Sequence, residues 1–254
     1  MKSESIRNWK EWGKKDPYYG VLSEEKFRLQ HLSDQAIGEF FETGESYVSE
    51  SRKKVLRCFG VDISEESILD FGCGVGRLAI PFAKMTEKEV WGIDISEDII
   101  DRATGHKQVF GLDHLKFTTY NGRELKHLPS FGFVHSYIVF QHIEPKLGMR
   151  LMRQLLEHTR VGGIFQVQVT FGHRLPWSVH ANFFLRTKFQ PYNFLYSSLK
   201  HRKFCQEPVM QMNHYSPDKL FRLFSDYSKE VQVEFTDHGG HLGAFYLLQK
   251  TTSV

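Results

Sequence analysis

The chain has 254 residues, 41% of them hydrophobic and 25% charged, which is typical of one large globular domain with additions. It contains no low-complexity tract, and no run approaches the roughly 18 apolar residues of a membrane span, which excludes a transmembrane protein and makes the cytoplasm the expected location. The three cysteines, Cys58, Cys73 and Cys205, are unclustered, so the sequence indicates neither a disulfide framework nor a metal site.

The first sixty residues are predicted to form a helical cap. Helical patterns lie near 24–31 and 34–59, and the second is expected to break at Gly44. Four aromatic residues precede them: Trp9, Trp12, Tyr18 and Tyr19. These aromatic side chains either pack on the core or help to cover a ligand.

The next segment joins a short apolar strand, Ile68–Phe71, to a helix through glycines at 72, 74 and 76. Glycine reaches backbone conformations closed to other residues and lets a bound molecule lie against the main chain. The N–H groups that open the following helix attract negative charge. This junction is therefore predicted to hold a ligand.

The spacing of the glycines disfavours a dinucleotide. A dinucleotide site has its third glycine three positions after the second, whereas Gly76 comes after two and Arg77 follows it. Asp70 would repel a phosphate, but it suits a ligand that carries an ammonium group. Asp94 ends the next apolar run, twenty-two residues after Gly72, where a parallel βαβ unit places an acid against ribose hydroxyls.

These residues resemble motif I and the following acidic position of the class I S-adenosylmethionine-dependent methyltransferases, and the resemblance runs from about Ser67 to the C-terminus. It implies that the loop of Gly72, Gly74 and Gly76 lies under the methionine part of S-adenosylmethionine. It also implies that Asp70 meets the amino group and Asp94 the ribose hydroxyls. The remaining residues assigned to the cofactor site on this resemblance are Cys73, Arg77, Ile95, Asn121, Gly122, Tyr137, Gln141 and Tyr19.

Strand and helix patterns alternate beyond the loop, which indicates a mainly parallel sheet covered on both faces. The seven predicted strands lie near 68–71, 90–93, 115–120, 133–139, 163–170, 230–235 and 244–249. The helices between them lie near 76–84, 96–103, 145–158 and 217–226. A short link, 237–243, joins the last two strands and predicts an antiparallel hairpin. The predicted fold is the α/β class I methyltransferase fold with seven strands.

Two later positions depart from the pattern of the resembling family. Asn121 stands where the family usually has an acid after strand 3, and it serves either as an acceptor for the adenine amine or as part of an Asn-Gly turn with Gly122. Gly132 replaces the acid that often opens strand 4. The end of that strand still resembles the family, which implies that Ser136, Tyr137 and Gln141 border the cofactor.

His142 is the candidate catalytic residue. It follows strand 4 at the carboxyl edge of the sheet, where open α/β folds bind ligands, and histidine titrates near neutral pH. It could remove a proton from an acceptor, and a purely structural role is the alternative. His238 and His241 are weaker candidates, because a turn in the last hairpin loop is a sufficient explanation for them.

The segment 171–214 is too long for an ordinary connection and is predicted to be a lid. It is rich in aromatic residues, and there is no Asp or Glu between His158 and Gln206. Seven cations lie in that interval: Arg160, Arg174, Arg186, Lys188, Lys200, Arg202 and Lys203. Such a lid suits an apolar or anionic acceptor, whereas nucleic acid, protein, a second copy and a membrane surface remain alternatives.

We therefore expect a single methyltransferase domain with four parts: a cap (1–60), a cofactor-binding core (61–170), the lid (171–214) and a C-terminal helix and hairpin (215–254). The expected reaction is transfer of a methyl group to an oxygen or nitrogen of a small-molecule or glycan-type acceptor, with S-adenosylhomocysteine as product. A nucleic-acid or protein methyltransferase, a non-catalytic partner subunit and an NAD-type oxidoreductase are the alternatives.

Overall fold

Seven strands form one sheet in the computed structural model, which describes residues 4–202 and 204–252. The strands are β1 (Ile68–Phe71), β2 (Val90–Asp94), β3 (Leu115–Thr119), β4 (Phe131–Ser136), β5 (Thr159–His173), β6 (Gln232–His238) and β7 (His241–Gln249). Their order is β3-β2-β1-β4-β5-β7-β6. Strands β1 to β5 pair in parallel, and β7 is antiparallel to both β5 and β6. The predicted seven-stranded, mostly parallel sheet is confirmed.

Nine α-helices occur in the described part of the chain. They are α1 (Glu4–Lys15), α2 (Pro17–Val21), α3 (Asp34–Phe59), α4 (Ala79–Met85), α5 (Glu97–Phe110), α6 (Pro145–His158), α7 (Trp177–Lys188), α8 (Gln190–His201) and α9 (Pro217–Ser225). None of these helices is long and apolar enough to cross a bilayer. Lys203 of the basic segment lies outside the described residues.

Two apolar layers cover the faces of the sheet. Along β1, Ile68 belongs to the layer that contains residues of α3 and α4, and its neighbour Leu69 belongs to the layer that contains residues of α6 and α9. The alternation follows because successive side chains of a strand point to opposite faces. Since both faces are covered, the central parallel strands are mostly apolar, which is why their positions could be predicted from apolar runs.

The last hairpin is tighter than predicted. Strands β6 and β7 extend into the segment that was expected to be a link, and Gly239 and Gly240 connect them with φ angles of 62° and 90°. Positive φ at both central residues is the condition for a two-residue hairpin turn whose twist matches the strands. The turn therefore needs fewer residues than the glycine- and histidine-rich sequence suggested.

Two predictions for the N-terminal segment are wrong. No α-helix occupies 24–31, where the structure has a 3₁₀ turn over Glu25–Phe27. Helix α3 does not break at Gly44 but continues over 26 residues, from an N-cap at Ser33 to Gly60 in the left-handed conformation. Gly44 is in the helix because α3 packs there on the chain after the glycine loop, where a Cβ atom would lie 2.0 Å from the Arg77 carbonyl oxygen.

The segment predicted as a lid contains a helical hairpin and a return segment. Strand β5 first extends to His173, and α7 and α8 then form the hairpin. Residues 205–216 return to α9 without regular secondary structure. The predicted lid therefore consists of two parts, the hairpin of α7 and α8 and the return segment (205–216).

We expect Gly44→Ala to lower the free energy of unfolding by ~1–3 kcal/mol, because the new methyl group meets backbone that cannot move aside freely. The measurement is urea unfolding followed by circular dichroism. Gly38→Ala is the matched control: it lies on the same helix with nothing within 4 Å of its Cβ position, and we expect a gain of up to ~1 kcal/mol from helix propensity. An equal gain in both variants would contradict the packing of α3 described here.

Candidate functional site

A cavity of about 490 Å³ opens at the carboxyl ends of β1, β2 and β4. Open α/β sheets bind ligands at this edge, and the volume is in the usual range for a small-molecule site. Lining residues come from α1, the end of α2, the loop after β1, the turn after β4 and the return segment. The lining includes Trp9, Val21, Asp70, Gly72, Cys73, Gly74, Arg77, Asp94, Ile95, Tyr137, Ile138, Val139, Gln141, His142, Met210, Met212, His238 and His241.

The glycine loop forms the floor of this cavity. Gly72, Gly74 and Gly76 have φ angles of 77°, 55° and 91°, which L-residues with a side chain rarely adopt. A Cβ atom would also lie 2.3 Å from Val139 at Gly72 and 2.4 Å from Val21 at Gly74. The glycines are therefore required by backbone conformation and by packing against protein, in addition to any ligand.

Asp94 is a buried carboxylate at the end of β2. Its Oδ2 accepts a hydrogen bond from the Gly74 N–H at 3.2 Å, and its Oδ1 accepts one from the Ser96 N–H at 3.1 Å. Burial raises its pKa to about 6, although these N–H groups act in the opposite direction. The carboxylate thus couples the glycine loop to the start of α5 and faces the cavity.

Asp70, at the end of β1, is also buried and faces the same cavity. Its Oδ1 lies 2.9 Å from His135 Nδ1. Its Oδ2 has no hydrogen-bond partner among the described residues. A buried acceptor without a donor is costly, so this oxygen favours a ligand that brings an N–H group.

A chain of hydrogen bonds supports Asp70 from the side of α3. Ser51 donates to Gln166 Oε1 at 2.9 Å, Gln166 Nε2 donates to the Tyr47 hydroxyl at 3.3 Å, and Tyr47 lies 2.8 Å from His135 Nε2. Burial raises the pKa of Tyr47 well above its usual value, so its hydroxyl keeps its proton and can donate to His135. The His135 tautomer with a proton on Nδ1 and a lone pair on Nε2 is the one that matches both of its contacts. His135 and Tyr47 were not found from the sequence.

Arg77 approaches the cavity from below the loop. Its side chain is buried, and burial lowers the pKa of its guanidinium. It donates to the Thr43 hydroxyl at 3.3 Å and lies 5.9 Å from the centre of the Tyr137 ring, whereas its Nε has no partner among the described residues. Tyr137 itself stacks between Tyr47 and Phe245, with ring centres at 4.6 and 5.4 Å.

His142 lies at the opposite side of the cavity, in a 3₁₀ turn after β4. Its Nδ1 donates to the Gln211 carbonyl at 2.7 Å, which leaves Nε2 as an acceptor, 3.3 Å from the Gln141 amide nitrogen. Burial lowers its pKa to about 4, so the ring is neutral at physiological pH. Gln141 is oriented in turn by the Thr170 hydroxyl, 2.8 Å from its Oε1.

The backbone between Tyr137 and Val139 is strained. Ile138 has a φ of 57°, which is unfavourable for a β-branched residue. This conformation reverses the chain between β4 and the 3₁₀ turn, and the residues on both sides of it line the cavity. Strain of this kind persists only where the surrounding structure imposes it, and it clusters at functional sites.

The N-terminal helices and the return segment cover the cavity. Trp9 contributes its ring, which lies 4.7 Å from the His142 ring, and the Ser5 hydroxyl donates to the His142 carbonyl. Met210 and Met212 line the cavity from the return segment, and the Ser23 hydroxyl lies 3.8 Å from the sulfur of Met210. Neither methionine was found from the sequence.

The structure brings most of the sequence-predicted residues together. Those that line the cavity are Asp70, Gly72, Cys73, Gly74, Arg77, Asp94, Ile95, Tyr137, Gln141 and His142. Gly76 supports the loop from below, since its Cβ position is 3.0 Å from Ile80. Ser136 lies behind the cavity and donates to the Phe71 carbonyl at 2.9 Å. Burial raises the pKa of Cys73 well above its usual value, so its thiol stays protonated.

Three of the assigned residues lie outside the lining of this cavity. Asn121 is exposed, and its Oδ1 accepts hydrogen bonds from the N–H groups of residues 123 and 124, so this residue forms the turn that was the alternative interpretation. Gly122 is buried under Ile6, 2.6 Å from its Cβ position. Tyr19 stacks on the Arg28 guanidinium at 3.7 Å, outside the cavity lining.

Within the described residues, no group of three His, Cys, Asp or Glu side chains could hold a metal ion. His238 and His241 nevertheless line the cavity from the last hairpin, and the His238 ring lies 5.8 Å from that of Tyr137. The hairpin therefore brings both rings to the cavity wall.

Comparison with known proteins agrees with this architecture. Residues 68–163 match the family model of a methyltransferase domain. Magnesium protoporphyrin IX methyltransferase from Synechocystis PCC 6803, solved with bound SAH, superposes with a TM-score of 0.62 at 12% identity, over 97% of this chain and 100% of that chain. TehB from Haemophilus influenzae gives a TM-score of 0.54 at 16% identity, over 93% of this chain and 67% of that chain.

A curated relative matches a shorter stretch. The ribosomal protein L11 methyltransferase of Shewanella baltica (strain OS195) is 42% identical over 48 residues, which are 19% of this chain and 16% of that protein. The chain therefore spans less than a fifth of the length of this relative in the match. The structural likenesses show the fold, and the predicted fold class is confirmed by them.

We expect Tyr47→Phe to lower the free energy of unfolding by ~1–3 kcal/mol, because it leaves His135 Nε2 and the Gln166 amide without a partner inside the protein. Chemical denaturation measures the change. Tyr192→Phe is the matched control, since its hydroxyl makes one long contact of 3.5 Å with Asn182 in a partly exposed position. Equal, negligible effects of the two substitutions would contradict the hydrogen-bond chain.

Proposed function

We propose that this chain methylates an oxygen or nitrogen atom of a small-molecule or glycan-type acceptor, with S-adenosylmethionine as the donor. The proposal is supported by its class I methyltransferase fold and by the match of residues 68–163 to the family model of a methyltransferase domain. The observation that carries the proposal is the pair of buried carboxylates, Asp70 and Asp94, which face one cavity over the glycine loop. When bound, S-adenosylmethionine would supply a methyl group activated by its sulfonium; the acceptor atom would form the new bond to this methyl as the carbon–sulfur bond breaks and S-adenosylhomocysteine leaves.

Asp94 and Asp70 are the residues that would hold this cofactor. Asp94 provides carboxylate oxygens for the ribose hydroxyls, and Asp70 Oδ2, which lacks a partner among the described residues, suits the ammonium group. The backbone of Gly72 and Gly74, which lines the cavity, would lie against the methionine part. Two buried carboxylates also suit a cofactor that carries positive charge.

The acceptor side of the cavity is formed by His142, His238, Met210 and Met212. The Nε2 lone pair of the neutral His142 faces the Gln141 amide nitrogen at 3.3 Å, and it would have to exchange this contact to take the proton that an acceptor hydroxyl or amine loses. Trp9 and the two methionines exclude water from this region, which favours transfer to the acceptor over hydrolysis.

A small acceptor is favoured over a macromolecular one by the cover of the cavity. The N-terminal helices and the return segment both contribute to the lining, so the acceptor atom must enter a cavity that several segments of the chain border. The curated match to a ribosomal protein methyltransferase spans only 48 residues, 19% of this chain, so it does not by itself indicate a protein acceptor.

We expect wild-type protein to bind S-adenosylhomocysteine with an affinity in the micromolar range, roughly −8 kcal/mol, and Asp94→Ala to weaken binding at least ~tenfold. Isothermal titration calorimetry measures both. Glu97→Ala is the control, because this carboxylate lies three residues away with its side chain 77% exposed. Unchanged affinity in Asp94→Ala would remove Asp94 from the site.

The affinity should also depend on pH. The folded-state pKa of Asp94 is raised to about 6, so its carboxylate gains a proton as the pH falls through that value. The protonated group is a weaker acceptor for hydroxyls and carries no charge. Affinity for S-adenosylhomocysteine should therefore fall below pH 6 in the wild type, and Asp94→Asn should remove most of this dependence.

We expect His142→Gln to lower kcat by ~100-fold or more while leaving the affinity for S-adenosylhomocysteine unchanged, because the imidazole acts on the acceptor. The assay follows transfer of label from S-adenosylmethionine into metabolite fractions. His114→Gln is the control, since that ring contacts the Ala83 carbonyl away from the cavity. A loss of cofactor affinity in His142→Gln with kcat intact would assign this residue to cofactor binding instead.

A further inference from the structure

The hairpin of α7 and α8 exposes apolar side chains to an unusual degree. Trp177, Leu199 and Phe204 are 83%, 70% and 93% exposed. The full set of its exposed large apolar residues, which we call the hairpin surface, is Trp177, Val179, Phe184, Leu185, Phe189, Phe194, Leu195, Leu199 and Phe204. These are about half of the exposed large apolar side chains described in the whole protein, so the surface is far larger than the scattered exposure that is normal for a folded chain.

The hairpin is also polar inside. The buried residues of α8 are Asn193 and Ser197, whereas its leucines point to solvent. Asn193 accepts a hydrogen bond from Arg186 at 2.9 Å and donates to the Glu207 carbonyl at 3.0 Å. Its amphipathic pattern is thus the reverse of that of a helix that packs on a core in water.

The exposed apolar residues lie together along each helix. Trp177 and Phe184 are seven residues apart on α7, which is about two turns, and Leu185 is adjacent to this row. Leu195 and Leu199 are four residues apart on α8. Spacings of three, four and seven residues place side chains on one helix face, so each helix contributes a continuous stripe.

Positive charge borders this surface. Arg174, Lys188 and Arg202 are exposed, and no acidic side chain among the described residues forms an ion pair with them. The nearest acid in the chain, Glu207, is instead turned inward and surrounded by Arg28, Arg186, Lys200 and His201. The hairpin surface is therefore apolar with a cationic border.

We propose that the hairpin surface docks on an anionic lipid bilayer, with the apolar side chains in the acyl-chain boundary and the cations at the lipid headgroups. Helices with aromatic and leucine residues beside lysine and arginine bind membrane interfaces in this way without crossing them. A second copy of the chain would bring like charges together. Nucleic acid would match the cations but leaves the aliphatic residues in water. The proposal does not depend on the identity of the methyl acceptor.

Flotation of the full chain with vesicles tests the proposal. We expect recovery with vesicles of phosphatidylcholine containing phosphatidylglycerol, and at least ~tenfold less with phosphatidylcholine alone, because headgroup charge attracts the cations. Trp177→Gln combined with Leu199→Gln should abolish flotation. Lys188→Gln combined with Arg202→Gln should reduce it and weaken its dependence on salt. None of these residues lines the cavity.

Val109→Gln combined with Phe235→Gln is the matched control, because these residues are 81% and 80% exposed elsewhere on the protein and should leave flotation unchanged. Equal flotation of all variants, or none with wild type, overturns the proposal. So does salt-sensitive retention of wild type on RNA or DNA without flotation, or a dimer in light scattering that the Trp177 and Leu199 substitutions dissociate. Calorimetry with S-adenosylhomocysteine separates this outcome from failure of the proposed function, since cofactor affinity should be equal in all variants.

Discussion

Two carboxylates buried at the ends of adjacent parallel strands are the constraint around which this protein is built. Burial of a carboxylate is unfavourable unless hydrogen bonds or positive charge compensate for it. Asp94 obtains two backbone N–H donors, and Asp70 obtains one donor from His135 and keeps an oxygen without a partner among the described residues. The pKa of Asp94 is still raised because these hydrogen bonds only partly offset the cost of burying its charge. A cationic ligand rich in hydroxyl and amine donors would complete it.

The N-terminal helices belong to this site as much as the sheet does. Tyr47 and Ser51 of α3 hold Asp70 through His135 and Gln166, and Gly44 of the same helix allows the close approach to Arg77. Val21 fills the space beside Gly74. Removal of these helices would therefore change the orientation of a buried carboxylate and the shape of the loop below the ligand, in addition to opening the cavity.

The long segment after β5 serves two surfaces at once. Its return part brings Met210 and Met212 to the lining of the cavity. Its helical hairpin buries polar side chains and exposes apolar side chains to solvent. Glu207 links the two parts, because it binds cations of the hairpin and also Arg28 of the N-terminal segment. Through the ion pairs of Glu207, the hairpin is thus linked to the segments that line the cavity.

Local sequence determined the strands, the glycine loop and the pair of acids, because apolar runs mark buried strands and the carboxyl ends of neighbouring parallel strands meet at one edge. Tertiary structure alone decided the contacts between distant residues. Tyr47 and His135 are 88 positions apart, and no local pattern shows that α3 packs across β4. It likewise decided Gly44, which a local rule treats as a helix break but which packing requires. Asn121 forms the local turn that its sequence also allowed, because a short amide side chain reaches the nearby backbone.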